Sequence, residues 1–390
     1  MTNAFHRDRF TWLAYILLAF YAYFVNILGP ITPFLKEELG LSYTISSLHF
    51  TAFAVGILVV GLFGHVVIQY FGRRVSLWIG AFGISLSALL LIAGKTPVIT
   101  IGASLCIGLI GSLIPVIVPS ALSDQHGEQR SIALSEANVT ASLVSTAAPL
   151  MVGWFTYFIG GWRLTLGAAA ITPLILRLIF GKTAPPPIIT SRNGPPADRQ
   201  PLPAMFWVYW AAIVLAVSVE FCMIFWSADY LENSLGMQKV NSAQAVSLFL
   251  AAMIIGRLMG SRLIRTVSIY KVIIASVVLA GAGFLIFWTT DNAVLGMFGL
   301  FLMGLGVANL YPLTLSLAIG AAEGNTVLAS ARTTLASGVA IFALPLTLGR
   351  LADMLGIRLA YGIVAILLIG LFLIIQATAR RADYLKAARP

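Results

Sequence analysis

Long apolar runs dominate this sequence and limit what the chain can fold into. Each half contains six of them, and each run is long enough to cross the hydrocarbon core of a bilayer, which takes about 20 helical residues. The hydrophobic fraction is 59%, the charged fraction is 10% and the mean hydropathy is +0.95, values outside the range of a soluble domain. The sequence therefore predicts an all-α membrane protein.

The twelve predicted transmembrane spans fall into two sets of six. The first set comprises spans 1 to 6, at residues 10–34, 46–70, 75–95, 97–122, 130–157 and 163–181. The second set comprises spans 7 to 12, at residues 205–233, 243–265, 270–290, 293–319, 327–350 and 357–379. The stretch between the sets has seven prolines, three charges and no apolar run. We predict a six-helix bundle at 1–182, a linker at 183–204 and a second six-helix bundle at 205–390.

The two halves repeat each other with a single offset of 196 residues. The matches are mostly glycine and proline, and they extend from one end of each half to the other. They include the pairs Gly40 and Gly236, Gly64 and Gly260, Gly108 and Gly304, Pro149 and Pro345, and Gly160 and Gly356. One offset that holds throughout indicates duplication of a backbone architecture. We therefore expect two bundles related by a pseudo-twofold axis along the membrane normal.

The distribution of basic residues predicts the orientation of the chain. With the N-terminus inside, 18 of the 24 Lys and Arg residues lie at cytoplasmic ends of spans and 6 at outer ends. This asymmetry places both termini and the linker in the cytoplasm. The basic residues stand singly or in pairs between apolar runs, so the net charge of +10 marks topology and does not indicate nucleic-acid binding.

The loop between spans 2 and 3 resembles the signature of the major facilitator superfamily, Gly-x-x-x-Asp-Arg-x-Gly-Arg-Arg. The corresponding stretch begins at His65 and keeps the terminal Gly72, Arg73 and Arg74. Gln69 stands where the family has the Asp, and His65 stands where it has the first Gly. The salt bridge usually attributed to that Asp must therefore be absent or rebuilt from other residues.

The resemblance covers essentially the whole chain, and the stretch 256–265 is similar to the end of the family's helix 8. It implies a multi-pass protein of the bacterial cytoplasmic (inner) membrane, monomeric and without cofactor or metal. It further implies a central cavity lined mainly by helices 1, 4, 7 and 10, which the two bundles open to either side in turn.

Proline and glycine concentrate in three of these four spans. Proline removes a backbone hydrogen bond and bends a helix, which is tolerated where helices line a cavity and flex. Ordinary packing kinks are the alternative explanation. The residues concerned are Gly29, Pro30 and Pro33 in span 1, Pro115 and Pro119 in span 4, and Gly304, Gly306 and Pro312 in span 10.

Glu220 is the most central ionizable residue, because apolar sequence flanks it on both sides in span 7. A charged group at the bilayer centre costs about 2.5–3.5 kcal/mol or more unless it is paired or hydrated. A carboxylate kept there can take up and release protons near neutral pH. Proton coupling, substrate anchoring and a structural hydrogen bond all remain open for it. Asp229 and Glu232, toward the outer end of the span, are expected to be solvated; the alternatives are that they close the outer face or attract a cation.

Glu136 and Arg332 occupy the same repeat position, near the cytoplasmic starts of spans 5 and 11. Their opposite charges are expected to form a cytoplasmic ion-pair gate, directly or through Arg257 on span 8, which we expect at a similar depth. Asp124, at the inner end of span 4, is a further candidate partner. Glu136 is also a second candidate for proton coupling. The alternative is that each charge extends to the membrane interface.

Substrate contacts are expected from polar and aromatic side chains on the cavity helices. Such side chains suit a mostly apolar organic ligand with a few polar groups, although packing in the core is an equal alternative for each. Together with Glu220, the candidates are Tyr23, Asn26, Trp226, Asn309 and Tyr311.

The sequence shows no catalytic triad in extramembrane segments, no His-Glu-x-x-His metal site and no phosphate-binding loop, which argues against an enzyme. We expect a secondary active transporter that moves a small organic molecule, with protons as the coupling ion. We slightly favour export of a drug or metabolite by proton antiport over proton-coupled uptake of a sugar or organic acid. A lipid or lysolipid flippase is a further alternative, since the presumed cavity carries little charge.

Overall fold

The computed structural model describes residues 5–187, 202–322 and 326–387. The predicted linker therefore lies largely outside the described residues. Within the described part of the chain every regular element is a helix. The chain divides into two compact units, Met1–Gly194 and Pro195–Pro390.

The first unit contains six membrane-length segments, named α1 to α6. They are α1 at Arg9–Leu39, α2 and α3 in one continuous helix at Tyr43–Ala93 with α2 before Gly72 and α3 after it, α4 at Pro97–Gly111 and Leu113–His126, α5 at Arg130–Phe158, and α6 at Arg163–Ala170 and Thr172–Phe180. A short 3₁₀ turn at Gly127–Gln129 joins α4 to α5.

The second unit contains six more segments, named α7 to α12. They are α7 at Ala204–Leu235, α8 at Lys239–Leu263, α9 at Ile269–Thr289, α10 at Ala293–Val307 and Leu310–Gly320, α11 at Thr326–Leu355, and α12 at Ile357–Ala360 and Gly362–Ala387.

The 51-residue helix at Tyr43–Ala93 contains two spans. At about 1.5 Å per residue it would be roughly 77 Å long if straight, more than twice the thickness of a bilayer core. Gly72 interrupts it with φ 76° and ψ 159°, a conformation that side chains disfavour and glycine tolerates. Among the described residues, eleven helices are long and apolar enough to cross a membrane. Dividing the longest at Gly72 gives the twelve spans predicted from the sequence.

The helices α4 and α10 are each broken in two at the same repeat position. The first break is at Ser112 and the second begins at Ala308. A proline three residues into each new segment, Pro115 or Pro312, has no N–H for the carbonyl four residues earlier, and its ring crowds that carbonyl. The predicted distortion of these two spans is confirmed, whereas α1 continues as one helix through Pro30.

The same close helix contact recurs in both units. A Cβ placed on Gly108 of α4 would lie 2.1 Å from the backbone oxygen of Phe53 on α2. In the second unit a Cβ on Gly304 of α10 would lie 2.5 Å from the backbone oxygen of Phe249 on α8. Both residues of the second contact follow those of the first by 196 positions. The repeat found in the sequence therefore corresponds to a repeated packing contact.

Candidate functional site

The α7 helix places Glu220 midway between its ends, sixteen residues after Ala204 and fifteen before Leu235. This position is roughly 24 Å from either end of the helix, so a helix that crosses a bilayer places the residue near the midplane. The side chain is 15% exposed. A carboxylate at that depth requires a partner or local water to offset its desolvation.

Arg257 on α8 supplies the nearby charge. Its Nη2 atom lies 3.8 Å from Oε1 of Glu220, which is close enough for an ion pair and too long for a hydrogen bond. The Arg257 side chain is 45% exposed. The hydroxyl of Tyr311 on α10 is hydrogen-bonded to Ser337 on α11. The same hydroxyl lies within range of an electrostatic interaction with Glu220. Side chains of α8 and α10 thus approach the carboxylate that α7 carries.

A loose pair of this kind can be switched by one proton. Two unit charges about 4 Å apart attract by about 4 kcal/mol at an effective dielectric constant of 20, and the exposure of Arg257 reduces that value. Protonation of Glu220 would remove the attraction, and no short hydrogen bond between the two side chains has to be broken first. The geometry therefore allows a proton to release Arg257.

Glu136 has its charge partner within the first unit. The Nε atom of Arg7 donates to its carboxylate at 2.7 Å, the second guanidinium contact is with Nη2, and the hydroxyl of Tyr15 donates at 3.1 Å. The same carboxylate raises the pKa of Arg7, which precedes the first span, above its ordinary value. This bidentate arrangement is the strongest type of carboxylate contact. The predicted gate between Glu136 and Arg332 stays a prediction.

Arg332 and Arg257 both contact α7. The indole Nε1 of Trp210 donates to the backbone oxygen of Arg332 at 2.8 Å, whereas Arg257 reaches Glu220. Ten residues, or about 15 Å of helix, separate Trp210 from Glu220. One contact uses the backbone of Arg332 and the other uses the side chain of Arg257, so the expectation that the two arginines lie at a similar depth stays a prediction.

Asp124 pairs with the arginine of the loop signature. The Nη2 atom of Arg73 lies 2.6 Å from Oδ2 of Asp124, and its Nη1 atom donates to the carbonyls of Pro186 and Pro187 at 3.1 and 3.2 Å. Only 9% of the Arg73 side chain is exposed. Gln69 stands at the Asp position of the signature, and Asp124 on α4 supplies a carboxylate partner for Arg73 instead. Arg73 in turn holds the segment after α6 through the carbonyls of Pro186 and Pro187.

Two of the predicted substrate contacts have packing roles in this structure. The Trp226 ring is fully buried and its Nε1 donates to the carbonyl of Pro345 on α11 at 3.1 Å. Asn309 is 7% exposed, and its amide donates to the carbonyl of Gly256 on α8 at 3.0 Å. The Nε1 atom of Trp226 and the Nδ2 atom of Asn309 thus link helices of the second unit, and the roles of both residues in substrate binding stay predictions.

The remaining candidates are partly accessible or line a groove. Asn26 donates to Ser145 on α5 at 3.0 Å. Tyr23 is 9% exposed and faces a groove between α1, α5 and α6. Their roles in binding, like that of Tyr311, stay predictions. Of the two acids expected in solvent, Asp229 is fully buried, which corrects that expectation, and Glu232 lies 3.4 Å from Lys239.

Sequence reasoning did not identify Arg7 as the partner of Glu136 or Ser337 as the partner of Tyr311. Arg7 lies outside every apolar span, and a serine in a membrane helix is common, so neither residue carried a signal of its own. The sequence indicated only that partners were needed, and it did not indicate which residues they were. Glu136, Glu220 and Arg257 each required a compensating group at their depth.

Two units of six membrane-length helices, with broken helices and an ion pair near mid-depth, define a polytopic α-helical membrane protein of the transporter type. The family model of the Major Facilitator Superfamily matches residues 14–343, so the chain belongs to this superfamily of transporters. The resemblance read from the loop signature is thereby confirmed. Among the described residues, no group of three or more His, Cys, Asp or Glu is placed to hold a metal ion.

The chain is similar to known proteins over nearly its full length. It is 26% identical to an uncharacterized MFS-type transporter of Yersinia pestis, over 92% of this chain and 93% of the relative. Its fold is similar to a bacterial homologue of the human lysosomal transporter Spinster, in an inward-facing and occupied conformation, with a TM-score of 0.77 and 13% identity over 95% and 96% of the two chains. The nucleoside transporter NupG is similar with a TM-score of 0.75 and 10% identity over 94% and 99%.

Proposed function

We propose that this protein is a proton-coupled secondary transporter of a small organic molecule in the bacterial inner membrane, and that Glu220 carries the coupled proton. The observation that supports this most directly is the loose pair between Glu220 and Arg257, 3.8 Å apart. A pair built for structure is expected to be short and fully hydrogen-bonded, as the Arg73–Asp124 pair is at 2.6 Å.

The proposed cycle uses the carboxylate in two states. In the ionised state Glu220 attracts Arg257, and in the protonated state it releases the guanidinium. If opening of the cavity to each side in turn changes the access of water to Glu220, the proton is taken up on one side and released on the other. If substrate and proton favour different states of this pair, their movements are coupled as antiport. If both favour the same state, their movements are coupled as symport.

The test is proton flux in proteoliposomes that contain a pH-sensitive dye. A panel of lipophilic cations, sugars and carboxylates is applied to the purified protein, to Glu220→Gln and to Glu38→Gln. Glu38 is a matched control, since it also pairs with an arginine, at 2.7 Å from Arg163, but its side chain is 44% exposed. We expect substrate-driven proton flux in the wild type and in Glu38→Gln, and its loss in Glu220→Gln.

A variant that still binds or exchanges substrate without moving protons would identify Glu220 as the coupling residue. Proton flux of normal size in Glu220→Gln would reject that role and make Glu136 the leading site. The sign of the proton flux distinguishes antiport from symport, because substrate entry drives protons outward in antiport and inward in symport. We propose export by antiport ahead of uptake of a sugar or organic acid by symport.

A lipid-like substrate is the second candidate, and a groove in the first unit favours it. This groove of about 310 Å³ lies between α1, α5 and α6, and its walls are almost entirely apolar, with Phe20, Met151 and Phe155 among them. Its apolar walls suit an acyl chain. Ala168→Trp would fill it, whereas Leu86→Trp changes an exposed residue of α3 elsewhere. Movement of a fluorescent lysolipid that Ala168→Trp does not slow would reject this candidate.

A further inference from the structure

Two arginines converge at the end of α6. The Nη2 atom of Arg74, at the start of α3, donates to the carbonyl of Gly181 at 2.5 Å, and Nη1 of Arg177 donates to the same oxygen at 3.2 Å. A shared acceptor holds the donor nitrogens within roughly 6 Å of each other. Both side chains are exposed. Two like charges held this close at a surface attract an anion, and most of their N–H groups remain available for it.

A cavity begins at these arginines and continues along an apolar wall. It has a volume of about 510 Å³, and Val75, Trp78, Ile79 and Phe82 of α3 line it together with the two arginines. The guanidinium carbon of Arg177 lies 5.1 Å from the centroid of the Trp78 ring. Val75 and Ile79 are 47% and 36% exposed. Positive charge, an indole and exposed aliphatic side chains thus follow one another along the helix axis.

This sequence of groups corresponds to the headgroup and upper acyl region of a phospholipid. Arginine binds phosphate oxygens through paired N–H groups, and tryptophan is enriched where membrane and water meet. Basic pockets between membrane helices on the cytoplasmic side are typical sites for anionic headgroups. Free phosphate would leave the apolar part of the cavity unfilled. We propose that this cleft, the Arg74–Arg177 cleft, binds an anionic phospholipid by its phosphate, at the end of the unit predicted to be cytoplasmic.

The test is retention of phosphatidylglycerol by the full chain in neutral detergent, measured by native mass spectrometry against phosphatidylcholine and inorganic phosphate. Variants are Arg74→Gln, Arg177→Gln and both together, with Arg381→Gln as a control that removes one exposed charge from the second unit. Each cleft substitution should weaken retention of phosphatidylglycerol about fivefold and the double substitution about 30-fold, since each basic group contributes independently to anionic-lipid binding. Arg381→Gln should change it less than twofold.

The arginine variants also remove hydrogen bonds to Gly181, so a second pair of variants separates binding from folding. Val75→Glu places a negative charge in the cleft and retains both arginines, and Val75→Leu is its apolar control. We expect Val75→Glu to reduce retention of phosphatidylglycerol at least tenfold, because the new carboxylate offsets the attraction of both arginines for the phosphate. We expect Val75→Leu to preserve retention. Equal retention by all variants, or binding of inorganic phosphate as tight as that of phosphatidylglycerol, would overturn the proposal.

Discussion

The contact between α2 and α4 permits a sharp prediction about stability. In Gly108→Ala the new Cβ would lie 2.1 Å from the backbone oxygen of Phe53 and 2.9 Å from its carbonyl carbon. These are backbone atoms, so no side-chain rotation relieves the clash, and the two helices must separate by roughly 1 Å to restore ordinary contact. Overpacking of this kind costs about 1–3 kcal/mol. Alanine otherwise favours a helix over glycine by roughly 0.5–1 kcal/mol.

Gly102→Ala is the matched control, because it makes the same substitution in the same segment of α4 where nothing lies within 4 Å of the new Cβ. We expect Gly102→Ala to be neutral or slightly stabilising and Gly108→Ala to be destabilising. A difference of about 2–3 kcal/mol corresponds to a Tm difference of roughly 5–10 °C for a unit of this size. Thermal unfolding of the purified variants in detergent measures it. Equal Tm values for the two variants would refute the helix contact described here.

Three further predictions concern the second unit and the two arginine pairs. Gly304→Ala should lower the Tm by several degrees, as its Cβ meets backbone at 2.5 Å, whereas Gly281→Ala, with nothing within 4 Å, should not; the same unfolding assay decides. Arg73→Gln should lower the Tm because it leaves Asp124 without its 2.6 Å partner, and adding Asp124→Asn should recover part of the loss. Arg257→Gln should change the pH dependence of transport, because it removes the charge that lies 3.8 Å from the Glu220 carboxylate; an unchanged pH profile would contradict its role in coupling.

The sequence predicted the fold because each element depends on local information. An apolar run long enough to span a bilayer can be read without knowledge of its neighbours, and the ends of the predicted spans differ from those of the observed helices by at most eight residues. The break between α2 and α3 was also predictable, since Gly72 belongs to a recognisable loop signature. The same holds for α4 and α10, where Pro115 and Pro312 interrupt the helix by local stereochemistry.

The face that each residue presents was not predictable in the same way. Trp226 and Asn309 stand on the expected spans, but the structure turns them toward α11 and α8. Most positions on every face of these helices are apolar, so hydrophobic periodicity does not distinguish a cavity-lining face from a helix interface. Charge partners were equally inaccessible. Glu136 is paired by Arg7, 129 positions away, and only the folded unit brings the two together.

The repeat also shows where the two halves have diverged in chemistry. Positions 196 residues before Glu220 and Arg257 are Phe24 and Gly61. Phe24 is fully buried in the first unit, and Gly61 has nothing within 4 Å of a Cβ. An ion pair needed for packing should occur in both copies of a duplicated architecture, yet here the first copy achieves its helix contacts without it. A pair kept in one copy only, despite the cost of charge near mid-bilayer, is better explained by a task that the copies do not share. On the proposed function, proton coupling is therefore a property of the second unit, and transferring the pair to Phe24 and Gly61 should not restore coupling to a Glu220→Gln protein.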